Sequence, residues 1–317
     1  MMKVEGRRLE EPQITYQQPK LIVGGLWNLR GVVFQAPVEI KRWILVCNDN
    51  LSTKQFNEVD LLERSIIKEW PKYGLRVPNK LPILERNITR PDLLNGLVKG
   101  AVEHARGLYE NQDPQLLMFV LPRQNTHTYN LLKTICDTQY GIASQIFDQQ
   151  KLYNKNETTI SQYLGNIALK VNVKLGGLNC HVKEEFFCKI RKGEPKNPRD
   201  PRSQLIYKDT KVQPRTMIVG GDITHGPATA VKPTVGHSSY SALVGTYDLA
   251  CTRYTAVTSR QQAMEVIDKN GKKTKELDKR FGMIHEFEQM LKVLCRRFRE
   301  KNNKRKCPPA TSILTSC

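Results

Sequence analysis

Apolar residues in the first half of the chain fall either into short continuous runs or into helical spacing. The runs are "RWILVCND" at 42–49, "QLLMFVLP" at 115–122 and "IASQIFD" at 142–148. Runs of this length are typical of strands buried inside a sheet. Strands that alternate with helices predict a parallel α/β sheet of Rossmann-like layout. The first predicted helix passes through Phe56 to Ile67, and three more cover 90–108, 126–141 and 158–175. Gly141 is the predicted stop of the third helix.

The second half has a different pattern. Residues 189–215 are charged and interrupted by prolines, which predicts an exposed loop. Three predicted strands follow with the spacing of a meander, and a helix from about 283 to 299 comes after them. The strands are "TMIVGGDITHG", "SSYSALVGTYD" and "CTRYTAVTSR". At the other end of the chain, residues 1–40 are rich in Pro and Gln and predict an extended linker.

Length and charge narrow the classes of protein. The chain has 317 residues, enough for about two domains, and its apolar fraction of 39% is that of a folded protein. The net charge of +19 favours a polyanionic partner, nucleic acid before an acidic membrane surface. No GxGxxG follows the first strand, which argues against a dinucleotide-dependent dehydrogenase.

Cysteine usage and hydropathy bear on the compartment. The eight cysteines form no CxxC pair, and none has zinc-site spacing with histidine. They are typical of reduced thiols in an intracellular protein. No apolar run approaches the length of a membrane span. We therefore expect a cytoplasmic protein that does not bind membranes.

Two lysine positions stand out in "IALKVNVKLGG". Lys170 and Lys174 lie one helical turn apart, and on one helix face they would repel each other. Tyr129 and Lys133 share a face of the helix that follows a central strand. The start of such a helix is where an open α/β sheet binds phosphates. A bound dianion would turn the repulsion into attraction, but solvated surface lysines would give the same pattern.

Candidate acids lie in the second half. Asp222, in "IVGGDITHG", comes at the end of a predicted apolar strand beside glycines that would let a ligand approach. A carboxylate in that place suits Mg²⁺, but an Asp that caps a turn would look the same. Glu265 in "RQQAMEVID" is, by itself, an ordinary exposed glutamate.

Taken together, four segments resemble the Argonaute family. "WNLRGVVF" is similar to its linker segment, and residues 115–145 resemble the segment "ILP…Y…K…GDT…G…TQ". "NIALKVNVKLGGLN" resembles "K-I-N-V-K-L-G-G-x-N", and "VGGDITHGP" resembles "G-A-D-V-T-H-P". The segments come in the family's order. The resemblance implies a linker (1–40), a Rossmann-like MID domain (41–188), an exposed loop (189–215) and an incomplete RNase H-like PIWI domain (216–317).

The resemblance also implies roles for individual residues. In the family, the MID domain binds the 5′-phosphate of a small guide RNA through a tyrosine, lysines and a glutamine, and the tyrosine stacks on the first base. A loop just before them senses that base. The matching phosphate-binding positions are Tyr129, Lys133, Gln145, Lys170 and Lys174. The matching base-sensing loop is Arg123, Gln124, Asn125 and Thr126.

For the PIWI part, Asp222 matches the first catalytic and metal-binding aspartate, and Glu265 matches the glutamate of the slicer site. The other two members of that site lie farther along the family's sequence. We therefore expect an incomplete Mg²⁺ site, and a chain that does not by itself cleave target RNA. The expected function is small-RNA-guided silencing. A guide-binding module without catalysis, or a truncated product without function, are the alternatives.

Overall fold

The computed structural model describes residues 11–49, 51–122, 125–152, 157–182, 217–224, 239–261, 266–267, 273–274, 284 and 286–302. The chain divides into two compact units, residues 1–183 and 184–317. In chain order, the first unit contains β1 (Ile14–Thr15), β2 (Pro19–Lys20), β3 (Trp43–Cys47), α1 (Thr53–Glu69), β4 (Ile83–Glu85), α2 (Leu94–Leu108), β5 (Leu116–Leu121), α3 (Thr126–Thr134), β6 (Ala143–Asp148), α4 (Glu157–Lys174) and β7 (His181–Val182).

The centre of the first unit is a four-stranded parallel sheet in the order β4-β3-β5-β6. Leu45 of β3 is in register with Ile83 of β4 and with Met118 of β5, which is in turn in register with Gln145 of β6. Every residue of β3 and β5 is buried. Both strands are therefore apolar throughout, because helices cover the two faces of the sheet. The predicted Rossmann-like parallel sheet is confirmed.

Alternate residues of β3 and β5 belong to two separate hydrophobic cores. Trp43, Leu45 and Met118 belong to the core under α1 and α4. Ile44 and Phe119 belong to the core under α2 and α3. The first unit is thus a three-layer α/β structure, in which α3 and α4 cover opposite faces of the same sheet.

The N-terminal segment, predicted as an extended linker, contains two very short strands. β1 pairs with β2 and also with β7, both antiparallel. Five apolar side chains of the N-terminal segment are buried in the core under α1 and α4: Ile14, Tyr16, Ile22, Val32 and Phe34. Phe34 stacks on Tyr73 with ring centroids 5.5 Å apart. This segment is therefore an integral part of the first unit.

Helix boundaries differ from the sequence predictions in detail. α3 runs over 126–134 and continues as a π-helical turn to Tyr140, which Gly141 ends with a φ of 63°. The predicted stop at Gly141 is confirmed, since a left-handed residue closes the turn there. α2 begins at Leu94 after a short 3₁₀ turn rather than at residue 90. The strand β4 was missed because three residues are too few for a pattern.

In the second unit, the described elements are β8 (Val219–Thr224), β9 (Ser239–Thr246), β10 (Tyr254–Gln261), β11 (Val266–Ile267), β12 (Lys273–Thr274) and α5 (Phe287–Asn302). The first three form an antiparallel sheet in the order β10-β9-β8, which confirms the predicted meander. α5 packs on this sheet around the buried Leu243, Met290 and Leu294. Across both units, none of the described helices has the length and apolarity needed to cross a membrane.

Candidate functional site

Two of the predicted lysines meet at one backbone oxygen. Lys133 Nζ lies 2.5 Å from the carbonyl oxygen of Ser144, and Lys174 Nζ lies 2.7 Å from the same atom. Lys133 also donates to Ser144 Oγ at 2.8 Å, and Lys174 donates to Gln145 Oε1 at 2.9 Å. α3, β6 and α4 therefore bring Lys133, Gln145 and Lys174, three of the predicted phosphate-binding residues, close together.

The lysine cluster consists of Lys133, Lys170 and Lys174, and among the described residues the one acidic group that acts on Lys174 there is Asp137. The pKa of Lys174 falls to about 8, first because of partial burial and then because of Lys133 and Lys170, while Asp137 acts in the opposite direction. Lys170 therefore acts on the same site although its side chain is exposed. An anion bound here would replace repulsion between ammonium groups with attraction. Such an anion would give the lysine pair of α4 a role beyond solvation.

The cluster lies beside the edge strand β6. Gln145 is only 6% exposed, and its Nε2 donates to the carbonyl oxygen of Ile146 at 2.9 Å, which fixes the side chain. Ser144 is in register with Leu117, near the amino end of β5. Lys133 lies in the last turn of α3. Lys133 therefore lies about two helical turns past the start of α3, away from the carboxyl ends of the strands where the sequence predicted the site.

Tyr129 and the predicted base-sensing loop lie near the start of α3. Tyr129 is 44% exposed, so its ring is accessible. Asn125 Oδ1 accepts hydrogen bonds from the backbone N–H groups of His127 and Thr128, at 3.0 and 3.2 Å, and so caps the helix. Thr126 is the first residue of α3. Arg123 and Gln124 fall outside the described residues.

The segment "NIALKVNVKLGGLN", which covers the end of α4 and the residues after it, is fixed by the buried side chain of Asn172. Asn172 is fully buried, accepts from Val38 N–H at 3.0 Å and donates to Asn179 Oδ1 at 2.9 Å. Gly177 passes so close to this side chain that an added Cβ would clash with it. Asn172 lies between Lys170 and Lys174 in the sequence. It therefore ties the helix turn that carries both lysines to the N-terminal segment.

Ser144 and Asn172 are the residues that sequence reasoning missed. Ser144 is 1% exposed and supplies the shared acceptor of Lys133 and Lys174. Both residues lie inside the segments used for the resemblance, but a neutral buried side chain gives no signal of its own in one sequence. Their positions could have been inferred only from contacts.

Asp222 lies in a different setting. It is exposed within β8, in register with Ala242, and its Oδ1 accepts from Ile223 N–H at 2.8 Å. The neighbouring Gly221 approaches Leu243 of the core under α5, so the alternation of the strand places Asp222 on the other face.

The predicted magnesium site is not assembled by the described residues. Glu265 lies outside them, and among them no three His, Cys, Asp or Glu residues are grouped to hold a metal. Asp222 alone does not fit a magnesium site, because such sites need several oxygen ligands.

Comparison with known proteins identifies the family of the chain. A Piwi domain model matches residues 116–308, a range that includes both the lysine cluster and Asp222. The chain belongs to the Argonaute family. The Schizosaccharomyces pombe relative "Protein argonaute" is 27% identical over 84% of this chain, and Arabidopsis thaliana "Protein argonaute 10" is 26% identical over 71% of it. This Argonaute chain covers 29% and 21% of those relatives' lengths.

Solved structures show the same fold. Drosophila Piwi and Kluyveromyces polysporus Argonaute with a guide RNA each superpose over 94% of this Argonaute chain with TM-scores of 0.60. Their sequence identities are 16% and 19%, and the matches cover 33% and 32% of those chains. The C-terminal lobe of a budding yeast Argonaute gives a TM-score of 0.61 at 18% identity, over 94% of this chain and 55% of its own. These matches confirm the mixed α/β fold of the chain and its likeness to solved Argonaute structures.

Proposed function

We propose that the first unit binds the 5′-phosphate of a small guide RNA, and that the chain serves RNA silencing through this binding. The observation that carries the proposal is the convergence of Lys133 and Lys174 on the Ser144 carbonyl, beside the buried Gln145. Lys170 adds positive charge to the same place. Each hydrogen bond from a charged lysine to a phosphate contributes roughly 1.5–3 kcal/mol.

Other parts of the RNA would meet the neighbouring elements. The exposed ring of Tyr129 can stack on the first base, since every base offers a flat π-face. The loop of Arg123, Gln124, Asn125 and Thr126 would contact the edge of that base. The proposed domains are a linker (1–40), a MID domain (41–188), an exposed loop (189–215) and a PIWI part (216–317).

The proposal for the second unit is more limited. Asp222 and Glu265 are proposed members of a magnesium-dependent site that acts on target RNA in the family. Asp222 lies on an exposed sheet face, which a target strand could reach. The proposed location is the cytoplasm, in keeping with cysteines that remain unpaired among the described residues.

The test is a titration of the whole chain with short single-stranded RNAs that carry either a 5′-phosphate or a 5′-hydroxyl, at fixed near-physiological salt. The wild-type chain should prefer the phosphorylated RNA. The double variant Lys170→Ala/Lys174→Ala should lose that preference by at least ~10-fold, because it lacks two charged donors.

A matched control removes the same charge elsewhere. Lys80 and Lys99 are exposed lysines of the first unit, and Lys80→Ala/Lys99→Ala should keep the phosphate preference while weakening binding of both RNAs equally. If the wild-type chain binds both RNAs equally, or if the control also loses the preference, the lysine cluster does not recognise a 5′-phosphate.

A further inference from the structure

α5 has an arginine-rich face that neither the lysine cluster nor Asp222 involves. The helix contains five basic and two acidic residues. Lys292, Arg296 and Arg299 are exposed and line a groove of about 460 Å³ together with Glu300. We refer to Lys292, Arg296 and Arg299 as the basic row.

The basic row is on the side of α5 that faces away from its sheet. Met290 and Leu294 are buried against the sheet. At 100° per residue, positions 292, 296 and 299 fall on the side opposite to those two residues. The row is therefore presented outward from the described part of the second unit.

Contacts in the C-terminal half of α5 hold the row in place. Arg297 donates to Thr255 Oγ1 at 2.7 Å and to the carbonyl oxygen of Ala256 at 2.9 Å, which fixes the helix on β10. Asn302 Nδ2 donates to the carbonyl oxygen of Tyr247 at 2.8 Å. Two neighbouring arginines thus differ in use, since Arg297 anchors the helix while Arg296 faces the groove. An anchored helix loses little freedom on binding a ligand.

The spacing of the row fits a nucleic-acid backbone. Lys292 and Arg299 are seven residues apart, which is about 10 Å along the helix. Phosphates follow one another every ~3.4 Å of axis along one strand of a duplex, so the row is as long as about three phosphate steps. Arginine forks also match phosphate oxygens geometrically.

We propose that the basic row of α5 binds the phosphate backbone of RNA, at a place separate from the 5′-phosphate cluster. An RNA that has a 5′-hydroxyl would bind here as well as one with a 5′-phosphate. The row contributes affinity and salt dependence, and it reads no base sequence.

The test measures the affinity of the whole chain for a 5′-hydroxyl single-stranded RNA over a series of salt concentrations. Arg296→Gln/Arg299→Gln should make the slope of log affinity against log salt shallower by about 0.7 for each phosphate that the variant no longer neutralises. Arg296→Lys/Arg299→Lys keeps the charge and should keep the slope. Lys80→Gln/Lys99→Gln removes the same charge from the first unit and should change the slope less than the arginine variant.

A gain of binding supplies a second readout that misfolding cannot imitate. Glu288 pairs with Lys292 at 2.6 Å, and Glu300 lines the groove. Glu288→Gln/Glu300→Gln should therefore tighten RNA binding at low salt, because it removes two negative charges next to the row. An unchanged affinity in this variant, together with an unchanged slope in Arg296→Gln/Arg299→Gln, would overturn the proposal.

The same experiment separates this row from the lysine cluster and from an acidic protein partner. Loss of phosphate preference in Lys170→Ala/Lys174→Ala, with the salt slope for 5′-hydroxyl RNA kept, leaves the proposal for the row intact. A polyglutamate peptide that competes with RNA at equal charge concentration would instead show that the row takes acidic segments of proteins, and would overturn the RNA proposal.

Discussion

In the first unit the candidate lysines lie beside a sheet that is buried on both faces, whereas in the second unit Asp222 lies on an exposed sheet face. Lys133 and Lys174 are held by Ser144 and Gln145, which are themselves buried. Asp222 has its own backbone neighbour, Ile223, as hydrogen-bond partner. The lysines are therefore positioned by tertiary packing, and the described residues around Asp222 do not position it in that way.

The difference shows what each kind of site needs. Like charges can be held close together only where surrounding groups fix them, and buried acceptors such as the Ser144 carbonyl do so here. A carboxylate on a strand has a defined direction but needs further ligands from other elements to hold a metal. The proposed anion site of the first unit lies within the fold of that unit, so changes to the packing of that unit should affect the site.

The largest expected effect comes from the core that supports the lysines. Phe119 is fully buried under α2 and α3, and Phe119→Ala should lower the free energy of unfolding of the first unit by about 3–5 kcal/mol. All three tryptophans, Trp27, Trp43 and Trp70, lie in the first unit. Tryptophan fluorescence during urea unfolding therefore follows this unit.

The matched change in the second unit is Leu294→Ala, which removes a buried side chain from the core under α5. It should cost that unit about 2–5 kcal/mol and leave the tryptophan transition where it is. A tryptophan transition that shifts as far in Leu294→Ala as in Phe119→Ala would mean that the two units unfold together, and the contrast between them would not hold.

A smaller effect is expected at the buried amide that ties down α4. Asn172→Ala leaves the Val38 N–H and Asn179 Oδ1 without their Asn172 partner, which should cost about 1–3 kcal/mol. It should also reduce the preference for 5′-phosphorylated RNA, since Lys170 and Lys174 lie on the turn that Asn172 holds. Asn130→Ala, at an exposed position of α3, is the control; it should leave the phosphate preference unchanged and stabilise by at most about 0.7 kcal/mol, because alanine favours helices.

Two glycines of the first unit test the same positioning role. Gly177→Ala would push a Cβ into Asn172 and should destabilise the first unit by about 1–3 kcal/mol. Gly100→Ala, in α2, meets no atom within 4 Å and should stabilise by about 0.5–1 kcal/mol, because alanine favours helices. Both changes are measured by the same urea unfolding. Equal stability changes in the two variants would contradict the inference that Asn172 positions the lysine-bearing turn of α4.

The sequence was informative where a pattern extends over many residues. The buried runs of β3 and β5 and the four helices α1 to α4 follow from apolar spacing, and the lysines of the cluster follow from the resemblance. The strand β4 and the packing of residues 14–34 could not be predicted, because they depend on tertiary contacts such as the stacking of Phe34 on Tyr73. Ser144 accepts from both lysines through its backbone oxygen, and no side-chain pattern in a sequence indicates such a contact.

The smallest expected effect is a dependence on pH that belongs to Lys174. Its pKa in the folded chain is about 8, below the ordinary value of 10.5. Above pH of about 8 the folded chain releases this proton, so the preference for 5′-phosphorylated RNA should decline as pH rises from 7 to 9. Binding assays at constant salt across this range measure the decline.

The free energy of unfolding should instead increase as pH rises, over the range between the two pKa values of Lys174. Between about 8 and 10.5 the unfolded chain holds the Lys174 proton and the folded chain does not, so this group makes the folded state relatively more stable as pH increases. Lys174→Met removes the charge that the cluster must accommodate. This variant should lose both the pH dependence of phosphate preference between 7 and 9 and this group's contribution to the pH dependence of stability. If Lys174→Met keeps the full decline of phosphate preference between pH 7 and 9, another group causes that decline. The cluster would then bind its anion without titration of Lys174.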